Sequence, residues 1–261
     1  MLYVLVFVVC LLSSAVGGVC GIGGGVIIKP VVDAFNILSV SALSFLSGLC
    51  VLSMSCISVV KQRKSHLVEP RQGTLLALGA AIGGLAGKAV FDVIRQTVGE
   101  TPVGLIQSIL LAVVTLLTLI YVLNKTRIRT NSVSHPFACL FIGFVLGMMS
   151  SFLGIGGGPI NLCVLYYFFS MDTKKAASNS LYIILFSQIF SLLSTVIQGK
   201  IPQFPAAMLV LMVAGGVWGG MLGHKLNLRL TAAQVEKLFN GLLCLIIIIC
   251  IYNALRFAGA L

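Results

Sequence analysis

This sequence predicts an all-α polytopic membrane protein built from two inverted repeats, and three observations carry that expectation. Apolar residues make up 59% of the 261 and charged residues only 9%, with a mean hydropathy of +1.11. A soluble domain needs about a quarter of its residues charged to cover its surface. The apolar residues also fall in long blocks. Positions 1–16, 41–60, 74–94, 102–123, 137–153, 159–171, 181–197, 206–223 and 238–258 are apolar or small almost throughout. Several approach the ~20 residues that a helix needs to cross about 30 Å of hydrocarbon. The third observation is that the chain repeats itself.

Glycines carry the repeat. Residues 19–25 read VCGIGGG and residues 152–158 read FLGIGGG, an offset of 133. Gly79, Gly83, Gly84 and Gly87 recur as Gly215, Gly219, Gly220 and Gly223 at an offset of 136. Two motifs in the same order and at nearly the same separation argue for a duplicated unit, a frequent plan among secondary transporters. The expected halves are 1–124 and 136–261, joined by a basic cytoplasmic linker at 125–135.

Each GIGGG lies in an apolar stretch of roughly 35 residues, too long for one straight crossing and too short for two. Four glycines in five residues cannot continue a stable helix, since each costs about 1 kcal/mol relative to alanine. Broken backbone at membrane depth persists only where it is buried in protein or lines a wet cavity. The stretch therefore either crosses once as a broken helix or turns back as a hairpin, and loop charge decides between them. With hairpins and an external N-terminus, Lys61, Arg63, Lys64, Arg71, Lys125, Arg127, Arg129, Lys174, Lys175, Lys225, Arg229 and Lys237 are cytoplasmic, twelve of the 17 basic residues. Single crossings place only nine of the 17 there. The excess of cytoplasmic Lys and Arg favours the hairpins. Each half is then a glycine-broken hairpin followed by three transmembrane helices. An odd number of net crossings inverts one half relative to the other and brings the two breaks to the bilayer middle from opposite faces.

A helix that begins just after GIGGG has unpaired N–H groups and the positive end of its dipole at the break. Glycine also lets a ligand approach the backbone closely. Gly23, Gly24, Gly25, Gly156, Gly157 and Gly158 are therefore the expected backbone ligands of an anion. Pro159 suits the first turn of the helix that follows. Ser178 and Asn179 are candidate side-chain donors in the second half, and Ser44 in the first. The bland alternative for the hydroxyls is bonding to helical carbonyls. Gly79-xxx-Gly83-xxx-Gly87 and its repeat read instead as close helix-packing faces. A valine at Gly24 or Gly157 is expected to block the anion while the fold survives. Lys29, Asp33, Lys88, Asp92 and His224 are the ionisable residues within apolar segments, and interface positions are expected for them.

The net charge of +11 is spread over short loops, which argues for topology and against a nucleic-acid partner. The eight cysteines show no CxxC pair and no metal-ligand spacing, so no disulfide or metal is expected. HExxH, GxSxG, a Walker-A lysine and paired acids are all absent from the sequence. No catalytic residue and no cofactor follow from it, and an enzyme is not expected.

The segments GIGGGVIIKP at 21–30, GIGGGPI at 154–160, KKAASNS at 174–180 and the glycine helix at 215–223 together resemble the TauE/SafE family of sulfite exporters and toluenesulfonate uptake permeases. The resemblance covers the whole chain. It implies a multi-pass inner-membrane permease for sulfite, an organosulfonate or a related sulfur-containing anion. Val26 and Ile27 stand where the second half has Pro159 and Ile160, a departure within the first motif. The leading expectation is a secondary transporter, coupled to a proton or sodium gradient or driven by the gradient of its substrate. The alternatives are a passive anion channel, a structural membrane protein without cargo, and sulfur chemistry at Cys20 or Cys163.

Overall fold

The computed structural model describes residues 2–35, 37–62, 67–125 and 127–259. Arg63 and Lys64, counted above as cytoplasmic charges, lie outside the described residues. Among the described residues ten helices follow one another: α1 (Leu2–Cys20), α2 (Gly25–Ala34), α3 (Val40–Gln62), α4 (Pro70–Val98), α5 (Glu100–Asn124), α6 (Pro136–Leu153), α7 (Pro159–Phe169), α8 (Thr173–Ile197), α9 (Ala206–Arg229) and α10 (Ala232–Phe257). No strand forms among the described residues. Eight helices, all except α2 and α7, are long and apolar enough to cross a membrane. Side chains such as Ile82, Leu117, Val210 and Ile248 turn outward from them, as a lipid-facing surface requires.

The helix ends follow local chemistry. Prolines open α4, α6 and α7, where a missing N–H leaves nothing unpaired. The Asp172 carboxylate accepts from Lys175 N–H at 2.9 Å to cap α8, and Thr231 with Gln234 forms a capping box on α10.

Both glycine-broken stretches turn back. Gly24 lies against the backbone of Ser14, ten residues earlier and about 15 Å away in a continuous helix. In the second stretch the N–H groups of Asn131 and Val133, just before α6, donate to the carbonyls of Tyr167 and Phe168 at the end of α7.

Packing is reciprocal between the first five helices and the last five. α1 packs on α9 as α6 does on α4, α3 on α9 as α8 on α4, and α2 on α10 as α7 on α5. The glycine helices supply the close approaches. A Cβ at Gly79, Gly83 or Gly87 would overlap the carbonyls of Leu140, Phe144 and Met148 on α6. A Cβ at Gly219 or Gly223 would likewise overlap the Leu11 and Ala15 carbonyls of α1, and one at Gly215 the Cys10 side chain. Helices α3 and α8 meet at the centre and run antiparallel, with Gly48 against Gln188 and Leu192 and Val51 and Met54 clustered with Ile184 and Leu181.

Candidate functional site

The two breaks meet each other. A Cβ on Gly23 would stand 3.5 Å from the Gly156 carbonyl oxygen, and one on Gly25 would overlap the Ile155 carbonyl. Val51 covers Gly156 and Ile184 covers Gly157. Val51 is the twelfth of 23 residues in α3 and Ile184 the twelfth of 25 in α8, so the meeting point lies level with the middle of both central helices.

Backbone geometry explains the breaks. Gly23 and Gly156 hold φ of +76° and +73°, a left-handed conformation that costs most side chains 1–2 kcal/mol. All six glycines are buried. Among the described residues, the N–H groups of Gly23, Gly24, Gly25, Gly156, Gly157 and Gly158 have no hydrogen-bond acceptor. Buried orphan N–H groups are rare in folded proteins. Six of them in two touching loops form a concentration of donors at the positive ends of α2 and α7.

Asn161, a residue that sequence reasoning missed, adds to them. It lies in the first turn of α7, is fully buried, and neither its Oδ1 nor its Nδ2 has a partner. An orphan buried amide costs about 1–3 kcal/mol. Its Nδ2 is 3.5 Å from the place a Cβ on Gly157 would occupy. The sequence signal was a lone polar residue in the apolar run 159–169, with Ile28 at the equivalent first-half position.

Ser44 lies against Gly154 at the second break. There it borders a cavity of about 20 Å³ shared with Lys88, Ser151, Gln188, Ser191 and Thr195, room for one or two waters. Ser178 and Asn179 are elsewhere. The residue before them, Ala177, packs on Gly21 at the first break, because each central helix begins beside the other half's glycines. Asn179 ties down the start of α4. Its amide donates to Leu67 and Lys175 carbonyls at 3.1 and 2.9 Å, and its oxygen accepts from Glu69 N–H at 3.2 Å.

Three expectations need correction. Lys29 and Asp33 are buried and not at an interface. The Lys29 ammonium donates to Ser44 Oγ at 2.8 Å, Gln107 Oε1 at 2.5 Å and the Leu153 carbonyl at 2.9 Å. It thereby neutralises the negative end of α6 from the other half of the chain. Lys88 does not end its helix, since α4 continues to Val98. It pairs with Asp92 at 3.1 Å and stands over the Phe91 ring. Finally, a valine at Gly24 would strike the Ser14 backbone, and one at Gly157, with φ of +136°, would strike Ile184. Neither variant separates binding from folding.

Eight helices long and apolar enough to cross a membrane, two of them the long arms of glycine-broken hairpins, mark a multi-pass membrane protein. The chain belongs to the Sulfite exporter TauE/SafE family, whose model matches residues 6–249. It is similar to the probable membrane transporter protein YunE of Bacillus subtilis, at 24% identity over 94% of this chain and 96% of that protein. It is also similar to the probable membrane transporter protein MamO of Magnetospirillum gryphiswaldense, at 25% identity over 63% of this chain but only 27% of that protein. No solved structure matches the chain. A location in the cytoplasmic (inner) membrane is consistent with the family.

Proposed function

We propose that this chain is a secondary transporter for a sulfur-containing oxyanion, sulfite or an organosulfonate. The anion binds at mid-depth between the N-terminal ends of α2 and α7. The observation that carries this reading is the set of six buried N–H groups without acceptors at Gly23–Gly25 and Gly156–Gly158. An oxyanion accepts several such bonds without a counter-charge in the hydrocarbon, and desolvated dipoles are strongest in a dry site. The chain carries its substrate and does not convert it. A proton or sodium gradient, or the gradient of the substrate, drives the movement.

Halves 1–124 and 136–261 then form inverted repeats about this point, joined by the linker 125–135, with both termini external. The packing of Val51 and Ile184 over the glycines makes this conformation a closed one, which opens by parting α3 from α8.

Flux into proteoliposomes tests the function. Saturable uptake of sulfite or an organosulfonate, above that of protein-free liposomes, is expected; no flux for any anion of the panel refutes the reading. Topology has its own test. A cysteine replacing Ser132 should react with an impermeant thiol reagent only after cells are permeabilised, and labelling of intact cells above the parent protein would exclude the inverted arrangement.

A further inference from the structure

The unpartnered amide of Asn161 has a use, and we infer that Asn161 is a direct substrate ligand whose Nδ2 donates to an oxygen of the bound oxyanion at the Gly157–Gly158 break. The inference rests on the transporter reading and assigns its first side-chain contact.

Several observations converge on this residue. Asn161 is fully buried, and both polar ends of its amide lack partners. Folded proteins rarely leave such a group idle unless something outside the chain completes it. Other buried asparagines show the contrast. Asn179, Asn227 and Asn253 each donate to a backbone carbonyl at 2.7–3.1 Å. Asn161 also stands in the first turn of α7, beside Gly157, where the unpaired backbone donors of the second break gather. The first half has Ile28 at the equivalent position, fully buried in an apolar cluster. The fold therefore accepts an aliphatic side chain at this site of the repeat, and the amide is not required to build the hairpin.

The chemistry narrows the ligand. A neutral amide N–H beside three backbone N–H groups forms a donor-only face, which suits an oxyanion with two or three oxygens and disfavours a cation. The Oδ1 end accepts, so a protonated oxyanion, such as a hydrogen-bearing form of sulfite, engages both ends of the same amide. A sulfonate, which carries no proton at neutral pH, engages only the donor.

Asn161→Leu provides the test, because binding and folding should respond in opposite directions. Purified protein in detergent is titrated with sulfite, methanesulfonate and sulfate, and affinity and Tm are measured on the same samples. The variant should melt at or above the wild-type temperature, since it removes an idle buried polar group. Its affinity for the preferred anion should fall at least tenfold. Asn161→Gln, which keeps the amide on a longer stem, should recover part of the loss. Affinity within twofold of wild type overturns the assignment while leaving the transporter reading intact. A lower Tm accompanying the lost affinity also overturns it, since that marks a structural amide. If the wild type itself responds to none of the anions, the transporter reading falls and the assignment falls with it.

Discussion

The two glycine breaks share five residues and the same opening turn, yet they differ at the fourth residue. Gly21 and Gly154, then Gly23 and Gly156, take left-handed angles in matched pairs. Gly24 is then already helical, at φ −66° and ψ −24°, and α2 starts at Gly25. Gly157 remains at φ +136°, Gly158 is fully extended, and α7 starts at Pro159. Pro159 accounts for the extended Gly158, since proline disfavours a helical conformation in its predecessor, and so for α7 starting one residue later than α2. Val26 makes no such demand. One copy of the repeated motif is thus a tight helix cap and the other, ahead of the proline, an extended glycine pair. The orphan amide and the polar cavity both lie at the second copy. The duplicated sequence therefore does not imply duplicated geometry: the first break is a tight helix cap, and the second is extended and carries the unpartnered amide.

The C-terminal carbonyls at the two breaks are treated differently as well. Val19 at the end of α1 accepts from the neutral amide of Asn227 at 2.8 Å. Leu153 at the end of α6 accepts from the buried Lys29 ammonium, with Gln107 donating to Phe152 beside it at 2.6 Å. The largest effect in a paired test should come from these caps. Lys29→Met should lower unfolding stability by about 3–5 kcal/mol, because three acceptors, two of them buried, lose a charged donor together. Asn227→Leu should cost about 1–2 kcal/mol, the scale of one neutral bond. Equal losses in thermal or denaturant unfolding would mean that the charge at the second break has no special structural weight.

The roles of Lys29 and Asn161 were hidden from the sequence for physical reasons. Composition and block length show that helices cross a membrane, and glycine density shows where they break, because both are local properties of the chain. The glycine helices were legible too, since a four-residue spacing puts Gly79, Gly83 and Gly87 on one face. Lys29, by contrast, finds its acceptor 124 residues away, and no local pattern records that distance. Ser178 and Asn179 share the second half with the motif at 154–158, but α8 begins beside the other half's loop. The relation between halves that produces this crossover is a property of packing alone.

The next contrast uses equivalent glycines at the two breaks. Gly25→Ala should destabilise by roughly 1–3 kcal/mol, as overpacked cores do, because its methyl overlaps the Ile155 carbonyl. At Gly158 a methyl meets only the Ile155 Cδ1 atom at 3.3 Å, a flexible tip on an extended stretch of backbone. Gly158→Ala should keep stability within about 1 kcal/mol. It should still weaken anion binding by about tenfold, or 1.4 kcal/mol, by filling the extended pair. Calorimetric binding and melting on both variants would show whether the two breaks weigh differently in packing and in binding. Normal affinity in Gly158→Ala would show that the anion does not approach there.

The smallest and most specific effect should come from the proline itself. Pro159→Val gives the second motif the residue type found at Val26 in the first. Stability should change by no more than about 1 kcal/mol, since the loss of a preset φ mainly enlarges the unfolded ensemble and the new N–H sits in a helix turn where donors are already unpaired. Freed from the proline, Gly157 and Gly158 can wind into α7 as Gly24 and Gly25 do in α2. Their N–H groups would then point along the helix axis, as those of Gly24 and Gly25 do, instead of fanning out from an extended pair. A fall in anion affinity of a few fold, with Tm nearly unchanged, is the expected result in the same titration. If affinity stays at the wild-type value, the extended pair is not what distinguishes the two breaks, and the difference must reside in Asn161 and the charge behind α6.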